Sequence, residues 1–169
     1  MVHGAGKRMQ FRRRRKHLTD YKRRLGLLRS GRPRLVVRKS LRYTVAQVVS
    51  YGPGGDSVIV GGTSRKIRDL GWTGSCSNVC AAYLTGYYFG RLAMKKGVEG
   101  AILDAGLLQP TRGGRIYAMV SGMRDAGMEI PCDDACLPTR DRVEGKHLGE
   151  SAGKEFEAVK AKIDSEKEE

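Results

Sequence analysis

The sequence predicts an α/β layer fold with a mixed sheet, a three-strand antiparallel meander plus two α/β units, flanked by an extended basic N-terminal arm and a C-terminal helix. Three observations predict it. Short runs rich in β-branched residues follow one another closely between residues 34 and 61. Two helical patterns, each closed by glycine, then alternate with short apolar runs. Finally, the surplus charge is confined to one end. Residues 1–42 hold 16 Lys and Arg against one acid, Asp20, for a net of +15, while residues 43–169 hold 16 against 17 acids, for a net of −1 and a chain total of +14. The chain therefore divides into an arm over 1–33, a globular domain over 34–148 and a charged helix over 149–169.

In the arm, Met9 to Lys16 is nearly all basic around one aromatic, Phe11. Such a block repels itself and buries no core, so alone it is expected to be disordered. From Thr19 or Asp20, either of which can cap a helix, Tyr21, Leu25 and Leu28 recur at helical spacing until Ser30-Gly31, and Pro33 forces extended backbone. Strands follow at Arg34–Lys39, Thr44–Tyr51 and Ser57–Val60, the last two joined through Gly52-Pro53-Gly54-Gly55-Asp56. A short helix over 63–70 is expected to be capped by Thr63 or Ser64. A long one running to about Lys96 is expected to be capped by Ser75 or Ser77. Gly86 and Gly90 in its interior each cost about 1 kcal/mol against alanine, which predicts close approach of this helix to the sheet. Ala101–Asp104 reads as a buried strand, Ile116–Ala126 as a helix and Met128–Ile130 as a final edge strand. From Ser151, Phe156, Val159 and Ile163 mark one face of a tail helix that frays at Glu168-Glu169.

With 40% hydrophobic residues the chain can build a core. No stretch reaches the roughly 18 apolar residues of a membrane span. The start, Met1-Val2-His3-Gly4, has no apolar region behind its charges, so no signal peptide is expected. This predicts a cytosolic chain with reduced or metal-bound cysteines and no membrane partner. The charge calls for a polyanion. Arg12, Arg13, Arg14, Arg15, Lys16, Lys22, Arg23, Arg24, Arg29, Arg32 and Arg34 put 11 cations in 23 positions, with Arg38, Lys39 and Arg42 just beyond. Arginine forks phosphate at two points and stacks on bases, and Phe11 and Tyr21 can add stacking, so nucleic acid is the expected partner. A solvated charge run is the plain alternative. Arg112-Gly113-Gly114-Arg115 at a helix start can bind an RNA phosphate through its N–H groups, or be an ordinary turn.

Cys76-x3-Cys80 and Cys132-x3-Cys136 form matched pairs that allow a shared four-thiolate zinc site, although zinc loops more often space cysteines by two or four; plain thiols are the other reading. Otherwise no cofactor is expected. For a metal-dependent nuclease the candidates are Asp69, Asp104 and Asp125, but the first strand carries no acid. His3, His17 and His147 are isolated from any nucleophile, and Tyr83, Tyr87, Tyr88 and Phe89 read as core and interface. A DNA-compacting protein with a basic arm is a further alternative.

Longer motifs narrow these options. Thr19-Asp20-Tyr21-Lys22-Arg23-Arg24-Leu25, the run Ser30-Gly31-Arg32-Pro33-Arg34-Leu35-Val36-Val37-Arg38-Lys39-Ser40, Gly71-Trp72 leading to Cys76, Ala82-Tyr83-Leu84-Thr85-Gly86, Ala101-Ile102-Leu103-Asp104 and Arg142-Val143-Glu144-Gly145-Lys146-His147 resemble the archaeal form of the universal large-subunit ribosomal protein family numbered eighteen. The resemblance runs from about Phe11 to Gly149. It implies a ribonuclease-H-like motif without the active site, and a non-enzymatic role in the cytoplasmic ribosome. It also implies binding to 5S rRNA, bridging to the large-subunit rRNA in the central protuberance, and neighbouring ribosomal proteins rather than further copies of this chain as partners. The RNA-binding positions it implies are Arg12 to Lys16, Tyr21, Arg23, Arg24, Arg32, Arg34 and Arg38. Cys80, Cys132 and Cys136 depart from the family pattern, where Pro, His and a residue other than cysteine are more usual.

Overall fold

The structure, a computed structural model, describes residues 9–165. The tail's fraying end, Glu168-Glu169, lies outside them. Two short helices lead the chain, α1 (Arg12–Arg15) and α2 (Tyr21–Leu28). The meander follows as β1 (Arg34–Lys39), β2 (Thr44–Gly52) and β3 (Gly55–Thr63), and then come α3 (Lys66–Asp69), α4 (Val79–Lys95), β4 (Ile102–Asp104) and α5 (Arg115–Asp125). The C-terminal part holds α6 (Arg140–Glu144) and α7 (Glu150–Ser165), with 3-10 turns at Asp134–Cys136 and Lys146–Leu148.

The sheet is mixed, in the order β3-β2-β1-β4. β1 pairs antiparallel with β2, setting Leu35 opposite Val48 and Val37 opposite Ala46, and parallel with β4, setting Leu35 beside Leu103. Side chains alternate across a strand. Leu35, Val37, Ala46, Val48 and Val60 thus share a core with Phe89 and Ala93 of α4 and with Ile116, Met119, Val120 and Met123 of α5. The expected edge strand at Met128–Ile130 is reduced to a single parallel bridge, Gly100 to Glu129. The second α/β unit therefore contributes its helix but no strand.

β3 runs past the expected stop at Val60, through Gly61 and Gly62. These glycines mark a close approach rather than a turn: a Cβ on Gly62 would lie 2.5 Å from the Phe89 ring. The glycine stripe of α4 likewise serves a different neighbour from the one expected. A Cβ on Gly86 would sit 2.2 Å from the Met119 carbonyl oxygen, and one on Gly122 would sit 2.1 Å from that of Tyr83. The bare backbones let α4 and α5 press together helix on helix, while another face of α4, with Phe89 and Ala93, packs on the sheet.

Helix starts differ from expectation too. Asn78, not Ser75 or Ser77, caps α4, its Oδ1 accepting from Ala81 N at 2.7 Å. Thr63 and Ser64 do not cap α3, which begins after Arg65 with no side-chain cap. Ser64 Oγ instead accepts from Thr44 N at 3.0 Å and donates to the Cys76 carbonyl at 2.6 Å, closing the end of the meander onto the loop before α4. α6 has five residues, too few for periodicity to reveal. The seam on the tail is as expected: Phe156, Val159 and Ile163 of α7 pack with Ile67, Trp72 and Tyr83 in a second core. Tyr87 donates to Asp164 at 2.8 Å, and Arg91 pairs with the same carboxylate at 2.7 Å.

The α4–α5 contact yields a direct prediction. Gly86→Ala should destabilise the fold by at least about 2 kcal/mol in urea unfolding, because backbone must move to admit the methyl. Gly26→Ala on exposed α2, with nothing within 4 Å of the new carbon, should be neutral or stabilising. Equal effects at the two positions would contradict the close-packed seam.

Candidate nucleic-acid interface

Asp20 starts the docked part of the arm. Its Oδ1 accepts from Lys22 N at 3.0 Å and Arg23 N at 3.1 Å, capping α2. The helix then faces the outer side of the sheet across a groove of about 840 Å3, floored by Val36, Gln47, Val49 and Val58. Two carboxylates organise this side. Asp104, at the end of β4, takes Arg34 Nη1 at 2.8 Å and Arg38 Nη2 at 3.3 Å, and accepts from Gly106 N at 2.8 Å. Asp56, at the start of β3, takes Arg24 Nη2 at 2.8 Å, and Arg34 Nη2 also lies 2.8 Å away as an ion pair. Arg34 is buried, its side chain only 3% exposed. Partial burial raises the pKa of Asp104, but the Gly106 N–H and the Arg38 and Arg34 guanidiniums outweigh it and hold the carboxyl below its usual range. The same contest, with Arg24 and Arg34 as the winners, holds Asp56 low.

The expected RNA-contacting residues thus fall into two sets. Arg24, Arg32, Arg34 and Arg38 are engaged within the protein, Arg32 through Glu129 at 3.1 Å. Arg23 donates to the Gly106 carbonyl at 3.0 Å. Arg34 is buried and held by Asp104 and Asp56, so it serves the fold. Arg12, Arg14, Arg15, Lys16, Lys22, Arg29, Lys39 and Arg42 are exposed and make no ion pair among the described residues. Arg13 is exposed and is steadied by Thr19, its Nε donating to Oγ1 at 2.8 Å. The block expected to be disordered in isolation carries one helical turn here, but the turn buries none of its residues. Phe11, 72% exposed, lies 5.4 Å from the half-buried Tyr21 ring, so an aromatic pair flanks the arginines. Arg112 is exposed in the turn before α5. Arg115 begins that helix and donates to the Ser40 carbonyl at 3.0 Å.

The shared zinc site is not assembled. Cys76 precedes α4 instead of joining Cys80 in its first turn. Cys80 is buried with its thiol on the Arg142 carbonyl at 3.6 Å, whereas Cys132 and Cys136 flank the loop before α6. Among the described residues no three His, Cys, Asp or Glu are placed to hold a metal ion. Burial pushes the Cys80 and Cys132 thiols up. The three candidate nuclease carboxylates are likewise apart: Asp69 pairs with Lys66, Asp125 accepts from Tyr83 at 2.6 Å and Asp104 is held by arginines. Asp56 escaped the sequence reading, because an acid after a glycine turn looks like any hairpin residue. Its only signal was that it faces the most basic stretch of the chain.

A family model described as ribosomal large subunit proteins 60S L5 and 50S L18 matches residues 7–100, which span the arm, the meander and α4. The large ribosomal subunit protein uL18 of Methanothermobacter thermautotrophicus is 41% identical over 152 residues, covering 90% of this chain and 79% of that protein. The chain belongs to this family of large-subunit ribosomal proteins. Membership makes it a structural constituent of the ribosome and gives the exposed arginines a polyphosphate context.

The buried cluster of this ribosomal protein sets its acid stability. Both carboxyls titrate below their unfolded values, near 3.9, so the fold favours their ionised forms. The gain is whole above that value and is lost as pH falls through the folded values. Stability in urea should drop between pH 5 and pH 3. Asp104→Asn, which strips the charge from the partner of a buried guanidinium, should cost about 3 kcal/mol at pH 7 and flatten that drop. An unchanged pH profile in the variant would contradict the assignment.

Proposed function

We propose that this protein binds 5S rRNA and ties it to the large-subunit rRNA in the central protuberance, together with neighbouring ribosomal proteins. It acts in the cytoplasmic ribosome as a single copy and without catalysis or cofactor. The observation that carries this reading is the division of the arm's cations. The body's carboxylates take Arg24, Arg32, Arg34 and Arg38, while Arg12, Arg14, Arg15, Lys16, Lys22 and Arg29 stay exposed and unpaired among the described residues. Docked α2 fixes where the arm leaves the sheet, and the free arginines beyond it meet phosphate. Each such contact releases counterions, giving a salt slope near −0.7 to −0.9 per phosphate.

The antiparallel meander with a parallel fourth strand agrees with a ribonuclease-H-like motif emptied of its chemistry. The acid at the end of β4, Asp104, holds two arginines in place of a metal ion. Preference for structured RNA over DNA follows from the family and separates this reading from a DNA-compacting role.

Removing residues 1–18 takes Arg13 and Leu18 from the groove but keeps Asp20 as the cap of α2 and Tyr21, Arg23, Arg24 and Leu27 in the groove lining. This truncated chain should unfold near the wild-type temperature. It should lose on the order of a hundredfold in 5S rRNA affinity at 0.15 M salt, with duplex DNA a weaker competitor than 5S rRNA for the full chain. Undiminished 5S rRNA binding, or a preference for duplex DNA, would overturn the proposal.

A further inference from the structure

A second concentration of charge lies at the other end of β1. Side chains alternate across the strand, so Arg38 turns to the groove beneath α2 while Lys39 turns to a separate hollow of about 740 Å3. Lys39, Arg112, Arg115, Arg142 and His147 line this hollow, and no carboxylate does. Of the acids close by in sequence, Asp141 pairs with Lys146, Glu144 with Arg140 and Lys146, and Asp134 with Arg124, while Asp133 accepts from Ala135 N. Lys39, Arg112 and Arg142 make no ion pair among the described residues. Beyond residue 42 the chain has a net charge of −1. Arg112, Arg115 and Arg142 are therefore a local concentration within that nearly neutral part, Lys39 joins them from the end of β1, and the four repel one another until an anion enters.

The walls favour one kind of anion. The eleven-residue helix α5 begins at Arg115 with no side-chain cap, and the preceding Gly113, at φ 63°, is held by its N–H on the Cys136 carbonyl at 2.9 Å. N–H groups of an uncapped first turn complement the guanidinium forks in binding phosphate. Apart from His147 the lining has no ring on which a base could stack. A sugar–phosphate backbone suits these walls better than an unpaired base.

We infer that this hollow takes a backbone phosphate of ribosomal RNA, as a second contact independent of the arm. The inference rests on the RNA-binding reading given above. The arm and the hollow lie on opposite faces of β1, so RNA held at both is fixed in orientation and not merely attracted. Arg112, Arg115, Arg142 and His147 lie past the residues that the family model matches, and this contact is a property of the body rather than of the arm.

The test uses the full chain in three forms: wild type, Arg112→Gln with Arg142→Gln, and Arg12, Arg13, Arg14 and Arg15 all replaced by Gln. Binding to total RNA extracted from large subunits is followed against KCl concentration. The pocket variant should lower the magnitude of the salt slope by about 1.5 and weaken affinity roughly tenfold at 0.15 M salt, and the arm variant should lower the slope by about 3. A wild-type slope in the pocket variant beside a reduced one in the arm variant overturns the pocket and leaves the arm reading intact. Wild-type slopes in both overturn the two together. Inorganic phosphate, followed by NMR at the Arg115, Ile116 and Tyr117 amides, separates sources. Saturable shifts with an unchanged RNA slope mean an adventitious ion only, and that also overturns the inference. Should the pocket variant melt early, Lys39→Gln, on an exposed side chain, should by itself lower the slope by about 0.8.

Discussion

A guanidinium cannot be buried at the head of a central strand unless carboxylates are brought to meet it. Arg34 opens β1 almost out of contact with water, and leaving such a charge unpaired would cost several kcal/mol. Asp104 and Asp56 meet it on the outer face, from strands to either side of β1. One ends β4, the parallel strand, and the other opens β3, at the far end of the meander. Each carboxylate then recruits a further arginine, Arg38 on Asp104 and Arg24 on Asp56. A single buried cation thus links all the regions that define the outer face of the sheet, and through Arg24 it clamps α2 onto that face.

The same arrangement decides which charges are available for work. Acids committed to the buried cluster cannot neutralise the arm beyond α2, and the exposed Arg12–Arg15 turn makes no ion pair among the described residues. The arm thus has two halves. Arginines of one half are structural ties, and those of the other stay solvated, which in the proposed reading leaves them for phosphate. Fixing the root of the arm narrows where its free end can reach, which lowers the ordering cost of binding RNA.

What could be read in the sequence and what could not divide along physical lines. β1 emerged with its observed bounds because alternating Leu35 and Val37 carry a period of two. The seam of α7 emerged because Phe156, Val159 and Ile163 repeat at helical spacing. The family was legible in the arm and β1, where long motifs survive. Partner identity was not legible. Gly86 and Gly90 announced a close approach but not that α5 would be the neighbour. The third strand was expected to stop at Val60, because nothing local shows the Phe89 ring that packs on Gly62. Ser64, Ser75 and Ser77 all suit a cap, and only the path of the chain selects Asn78. The matched cysteine pairs shared a spacing but not a place. Most consequentially, a count of charges treated Arg12 and Arg34 as equivalents, although one faces water and the other lies in the core.

In the proposed role, an electrostatic tether joins this protein to 5S rRNA within the large subunit. Washing large subunits of the source cells with increasing KCl tests it directly, by following the protein and 5S rRNA in the released fraction. The account predicts that both leave together over the same salt range. Release of 5S rRNA with the protein left behind on the large rRNA, or absence of the protein from large subunits at low salt, would contradict it.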